Sequence, residues 1–198
     1  KVCITIDFED FSYDLGRQLR TPKASQKLRV KALHAAYERI NEFIERVDGS
    51  SKATFFCTGI VAEMAPEIIT KIADDGHEIA CHYYYHDDFN KDQLTLAEER
   101  ILKAKKALSA ASGQDILGFR APRFSLEHTD LAHLQLLSKY FKYDSSLNTS
   151  GSEELQHLRQ ILDLEIFPVP SQKVNFALPP IKPGGSYFRL LGNALVKR

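Results

Sequence analysis

Gly76-His77-Glu78-Ile79-Ala80-Cys81-His82-Tyr83-Tyr84-Tyr85-His86 is the stretch on which the reading of this chain turns. A glycine opens it, a short apolar run follows, and two histidines spaced i, i+4 close it. A run this short between a turn and a polar cluster predicts a buried strand over residues 77–82, with the histidines at its carboxyl end. Side chains four apart in a helical turn lie roughly 5–6 Å apart at Cβ. That separation suits two imidazoles meeting one divalent ion at roughly 2.0–2.1 Å per bond. Two unrelated surface histidines beside a tyrosine-rich turn would give the same letters, so the other strand ends decide.

Working outward, residues 2–8 (VCITIDF) and 53–57 (ATFFC) are further compact strand candidates. Residues 28–47 repeat apolar positions at helical spacing, and Asp48-Gly49 stops them. A second helix is expected over residues 60–74, with Pro66 at a start or a break. A third spans 94–111, its charged side read as a solvated face, and a fourth spans 129–140. Residues 116–119, 142–144 and 161–167 complete the expected strands. Residues 11–27 and the proline-rich 168–185 read as irregular, with Pro179 to Gly185 either a lid or an ordered surface loop. Strands alternating with helices predict an α/β fold with a largely parallel sheet, whose functional groups gather at the strand carboxyl ends.

The 198 residues fit a single domain. Acidic and basic residues balance at 26 each, so no overall charge points to nucleic acid as a partner. No apolar run approaches the ~18 residues of a membrane span. Cys3, Cys57 and Cys81 lack paired spacing and read as small buried hydrophobes, as suits the cytoplasm. Cys81 adjoins His82 and could act as a soft ligand, but strand alternation turns it to the opposite face.

Polar clusters then fall at four expected strand ends: Asp7, Glu9 and Asp10; His82 and His86; Arg120; and Asp144 with Ser145 and Ser146. Taken singly, Asp7 reads equally as a capping acid and Arg120 as a turn arginine. Taken together they describe one site. A carboxylate and two histidines leave positions open on a divalent ion, a second carboxylate kept off the ion can act as general base, and an arginine can hold that base ionised.

Thr5-Ile6-Asp7-Phe8-Glu9-Asp10, His82-Tyr83-Tyr84-Tyr85-His86, Arg120-Ala121-Pro122-Arg123-Phe124 and Tyr143-Asp144-Ser145-Ser146 together resemble the motifs of the polysaccharide deacetylases with the NodB homology domain, carbohydrate esterase family 4. Ala53-Thr54-Phe55-Phe56 and Gly76-His77-Glu78-Ile79 resemble segments that precede the second motif. Residues 183–191 (PGGSYFRLL) resemble a branch associated with envelope and exopolysaccharide assembly. The resemblance implies a distorted (β/α) barrel of about seven strands. It also implies hydrolysis of N-acetyl groups on an amino sugar of an envelope polysaccharide or its precursor, by water activated at a divalent metal. Zinc is the default metal, with cobalt, nickel or iron also suited to the donors.

Carried over by residue, the resemblance makes Asp7 the base, Arg120 its positioning partner, and His82 and His86 metal ligands. It places Tyr83, Pro122, Tyr143, Asp144 and Ser145 at the acetylated carbohydrate. Tyr83-Tyr84-Tyr85 either stack on sugar or pack the site wall; Phe8 and Phe11 read as core or loop anchors. Two departures stand out. Adjacent acids usually supply base and ligand, whereas Asp7 is followed here by Phe8-Glu9-Asp10; alternation puts Glu9 on Asp7's face, while a bend after Phe8 favours Asp10 as the third ligand. The general-acid histidine of a late Leu-x-His motif is missing, since His128, His133 and His157 fall in polar helical stretches and read as solvated. The domain is therefore expected to be incomplete at its carboxyl end. A related amidohydrolase on a small amide and a carbohydrate-binding protein on the same fold are the rival functions.

Overall fold

A computed structural model describes residues 3–19, 27–48, 51–147 and 152–169. The elements run β1 (Thr5–Phe8), α1 (Phe11–Gln18), α2 (Val30–Asp48), β2 (Thr54–Cys57), α3 (Gly59–Met64), α4 (Pro66–Asp74) and β3 (Glu78–Cys81). Then follow α5 (Leu94–Ser112), β4 (Gly118–Phe119), α6 (Leu131–Tyr140), β5 (Tyr143–Asp144), α7 (Ser152–Ile161) and β6 (Glu165–Ile166).

Six strands form one sheet in the order β1-β2-β3-β4-β5-β6, each pair parallel. Parallel connections share one hand, so a strand order that never reverses keeps the helices on one face of the sheet. That is the arrangement of a barrel wall rather than of a doubly wound sheet. About seven strands were expected. Six are found among the described residues, and closure of the sheet on itself is not seen among them.

The helix-facing side of the sheet is apolar because alternate strand residues are. Phe55, Cys57, Ile79, Cys81 and Phe119 are fully buried against Ile68, Ile69 and Ile72 of α4 and Ala97, Ile101, Ala104 and Leu108 of α5. Each large side chain buried this way contributes about 1.5–3 kcal/mol. The four α5 residues recur every three or four positions, so the helix read as a solvated face keeps its charges outward and packs by its small side against α3 and α4. Pro66 does both things expected of it: α3 ends before it and α4 begins on it, where its missing N–H is harmless.

Three local expectations need correction. Residues 11–18 are helical, because Asp10 caps them by accepting the N–H groups of Ser12 and Tyr13. Helix α7 was not expected, although Leu155, Leu158 and Ile161 recur every three residues, and it takes Ile161 out of the strand expected over 161–167, which is found at Glu165–Ile166. Cys3 lies outside β1 and is exposed, while Cys57 and Cys81 are buried as expected. The proline-rich stretch from residue 170 onward, with the suggested lid and the 183–191 segment, lies outside the described residues. No helix among the described residues is long and apolar enough to cross a membrane.

Candidate metal centre

The sheet register builds the site. Phe8, Cys57, Cys81, Phe119, Asp144 and Ile166 align in one row across the six strands, all facing the helices. The residues immediately before and after that row face the other way. The preceding layer holds Asp7, Phe56, Ala80, Gly118 and Tyr143; the following layer holds Glu9, His82, Arg120 and Ser145. The ladders continue one residue past the strands, through His82 N to Cys57 O at 2.8 Å, Arg120 N to Cys81 O at 2.9 Å and Ser145 N to Phe119 O at 2.8 Å. Backbone pairing therefore fixes three of the site residues.

Glu9, His82 and His86 present one ligand atom each within 4.8 Å of one another. His82 is fully buried, and its Nδ1 donates to the carbonyl of Arg120 at 2.8 Å. That bond leaves Nε2 as the lone-pair nitrogen, buried and without a hydrogen-bond partner among the described residues. Burial also pushes the His82 imidazole below its ordinary pKa, although the charges of Asp7 and Glu9 oppose this, and a neutral imidazole is the metal-binding form. Glu9 Oε2 lies 3.0 Å from His86 Nε2, yet it too lacks a hydrogen-bond partner among the described residues. Ligand atoms sharing one ion at bonds of ~2.0–2.2 Å lie roughly 3–3.5 Å apart. A buried, unpaired imidazole nitrogen and a carboxylate converging on one point are what a divalent cation would satisfy, so the residues fit the group.

Asp10, the favoured ligand on sequence grounds, is not part of this cluster. Its carboxylate accepts Ser12 N at 3.0 Å, Tyr13 N at 3.2 Å and Arg29 N at 2.7 Å, and pairs with Arg29 Nε at 3.4 Å. The bend after Phe8 exists, but it turns Asp10 into a helix cap and leaves Glu9 on the face of Asp7.

Beside the cluster, Asp7 Oδ1 accepts from Arg120 Nη1 at 2.8 Å, with about a third (34%) of the Asp7 side chain open. Arg120 is buried and fully committed. Nη2 donates to Thr5 Oγ1 (3.1 Å) and Ser145 Oγ (2.8 Å), Nε to the Ser145 carbonyl (3.1 Å), and the guanidinium lies 4.0 Å from the centre of the Phe56 ring. Burial raises the Asp7 carboxyl, but the charge of the Arg120 guanidinium and its hydrogen bond act against this. The group sits below the ordinary carboxylate range.

The residues assigned to the carbohydrate divide. Ser145 stands in the site layer, hydrogen-bonded to Arg120. Tyr143 lies on the inner face with its hydroxyl donating to Glu78 Oε1 at 2.8 Å and its ring edge-on to Phe56. Tyr83 does not reach a groove: it is fully buried, packs edge-on to Phe89 and Phe119, and donates to Asp92 at 2.5 Å. Asp144 faces the helix side, fully buried, where it accepts the N–H and the hydroxyl of Ser146. Pro122 is likewise buried. His133, read as solvated, is buried between Asp130 and the Asp92 carbonyl; His128 and His157 are exposed as expected. Phe8 belongs to the core, whereas Phe11 is 62% exposed.

Sequence reasoning missed Asp14. It is buried and accepts the His86 N–H at 3.3 Å. The only signal was an acid on the inward side of a helix that the polar composition of residues 11–27 concealed.

The fold is thus a parallel α/β protein that gathers at its strand ends three donors that could hold a cation, flanked by an arginine-held carboxylate. The sequence profile of the polysaccharide deacetylases matches residues 35–139, and the chain belongs to that family. It is 27% identical over 150 residues to the peptidoglycan deacetylase-like protein FGM2 of Gibberella zeae, a match covering 75% of this chain and 44% of that one. It is 32% identical over 95 residues to the peptidoglycan deacetylase of Helicobacter pylori, covering 48% and 32%. Among solved structures, a Mycobacterium smegmatis chain described as a polysaccharide deacetylase superposes with a TM-score of 0.60 at 23% identity, over 89% of this chain and 59% of that one. That likeness shows the shared α/β fold. The chain spans less than half the length of these curated relatives.

Proposed function

We propose that this chain is a metal-dependent hydrolase that removes N-acetyl groups from an amino sugar in a cell-envelope polysaccharide or its precursor. The observation that carries the reading is the buried, unpaired Nε2 of His82 converging with Glu9 and His86 beside the Arg120-held Asp7. Peptidoglycan deacetylase names among the relatives support the amino-sugar substrate.

Glu9, His82 and His86 would hold the cation, zinc by availability, with cobalt, nickel or iron also compatible with two imidazoles and a carboxylate. A divalent ion there supplies Lewis-acid activation of water and of the acyl carbonyl. Asp7, ionised at neutral pH and partly exposed, would take the proton from the attacking water as general base. Arg120 keeps that carboxylate charged and aims it, since its other donors are tied to Thr5 and Ser145. The departing amine needs a proton from a group outside the set described, because His133 is committed and His128 and His157 are exposed on helical or turn segments. The free thiols, one of them exposed, support a reducing, cytoplasmic setting.

Acetate release from N-acetylglucosamine oligomers tests the reading. Release is expected to require a divalent metal, stop with a chelator, and fall at least ~100-fold in Asp7→Asn. Glycan binding without chelator-sensitive acetate release would overturn it.

A further inference from the structure

The two histidines of the cradle are held by different means. His82 is oriented through its ring, by the bond from Nδ1 to the Arg120 carbonyl. The hydrogen bonds that hold His86 fall on its main chain. Its N–H donates to Asp14 Oδ1 at 3.3 Å, and its carbonyl accepts from Gln18 Nε2 at 3.2 Å and from Arg123 Nη2 at 2.9 Å. We infer that Arg123, assisted by Gln18, is a positioning residue that aims the His86 imidazole by clamping its carbonyl. The inference rests on the metal-centre reading above.

The path of the chain explains why a clamp is needed. His82 is still paired in the strand ladder, but Tyr83 takes a left-handed backbone (φ 64°) and the chain leaves the sheet. The Tyr83 and Tyr84 carbonyls are pinned by Gly59 N at 2.9 Å and Ile60 N at 3.0 Å. His86 comes after these anchors and outside the ladder. Metal bonds tolerate only about ±0.2 Å, so its position must be set by something else.

Arg123 is built for that position. It adopts φ 56°, a left-handed conformation that costs energy for any residue but glycine. Its guanidinium forks between two targets, Nη2 on the His86 carbonyl and Nε on Asp88 Oδ1 at 2.7 Å. Asp88 is itself paired with Lys91 at 2.5 Å, which holds the fork in aim. The side chain is 43% exposed, so it does not fill the core. A strained, half-exposed arginine whose contacts end on a ligand's carbonyl is placed for geometry rather than for packing.

The test is Arg123→Gly, because glycine accepts φ 56° without strain and the fold should survive losing the side chain. The metal-free variant is expected to melt within a few degrees of the parent. Its zinc dissociation constant, measured by competition with a chromophoric chelator, is expected to rise about 10–100-fold. The visible bands of the cobalt-loaded form should move or weaken. Arg123→Lys, which can reach the carbonyl but cannot fork to Asp88 as well, should recover part of the affinity. Gln18→Ala, at the end of α1, should weaken zinc about threefold, in line with a single lost hydrogen bond. Zinc affinity within twofold of the parent and an unchanged cobalt spectrum in Arg123→Gly would overturn the inference and leave the metal centre standing. Failure of the parent itself to bind zinc or cobalt would overturn both.

Discussion

The neighbouring acids Glu9 and Asp10 offer the sharpest test of the site, because the structure gives them opposite jobs. Glu9→Gln keeps the size and removes the carboxylate that faces His82 and His86. Since the carboxylate's contact in the metal-free protein is the one with His86 Nε2 at 3.0 Å, metal-free stability should fall by about 1 kcal/mol. Zinc affinity should fall by at least ~100-fold, because even groups that only support a ligand are worth 10–100-fold. Asp10→Ala removes no donor from the cluster but strips a cap. The lost bonds to Ser12 N and Tyr13 N cost about 1 kcal/mol as a helix cap. The 2.7 Å bond from Arg29 N adds about 1.5 kcal/mol as a hydrogen bond to a charged group, and the loss of a negative charge at the α1 N-terminus adds about 0.5 kcal/mol. The total is roughly 3 kcal/mol, or a melting temperature lower by about 6–12 °C in a chain of this size. Thermal melts of metal-free protein and zinc competition titrations of both variants read the two effects separately. If folded Asp10→Ala lost zinc as Glu9→Gln is expected to, or if Glu9→Gln bound zinc like the parent, the assignment would be wrong.

Other perturbations test the scaffold. Arg120→Lys cannot reproduce the fork to Asp7, Thr5 and Ser145 and should lower kcat about 100-fold in the acetate-release assay, as small misplacements of a reacting group do; an effect under threefold would remove Arg120 from the positioning role. A Cβ added in Gly118→Ala would fall 2.0 Å from Cζ and 2.2 Å from Oη of Tyr143. Displacing that ring and its bond to Glu78 should cost about 2–4 kcal/mol in urea unfolding, and the cost should largely vanish in a Tyr143→Ala background. The Asp144 carboxyl is pushed up by burial from 3.8 to about 6, despite its bonds to Ser146. The native state then keeps a proton that the unfolded chain has released, so this group's contribution falls as pH rises from about 4 to 6 and is flat above. The span is on the order of 3 kcal/mol. Asp144→Asn should gain on the parent across that window, and parallel stability curves would contradict the burial argument.

Much of the fold was legible because its signals are local and redundant. Residues 54–57 and 78–81 are short apolar runs between turn residues, and the intervening helices carry apolar stripes at 3.6 spacing. Helix α1 was hidden because its start depends on the Asp10 side chain folding back onto two N–H groups. The sequence shows the acid but not whether it points at the backbone or at a metal. The places of Tyr83 and Asp144 show a related limit. Motif position places a residue near a site, but the left-handed turn at Tyr83 and the alternation at Asp144 decide which side of the sheet it faces.

The same alternation settles how the cradle is made. Phe8, Cys81 and Phe119 share one register row and point into the helix layer. Each is followed by Glu9, His82 and Arg120, which must then share the opposite face whatever their chemistry. A one-residue slip of β1 against β2 would exchange Glu9 for Phe8 in the site and bury a carboxylate in the core, so the apolar packing of Phe8 and Phe55 also enforces the donor set. His86 is the exception, since no ladder reaches it. Its placement was borrowed from α1 and from the turn after Arg120, through the Asp14, Gln18 and Arg123 contacts on its main chain. Of the three candidate donors, His82 is therefore held by the sheet ladder, Glu9 directly follows β1, and His86 lies in a loop held by two other segments. Variants that loosen the loop should weaken the metal before they weaken the fold.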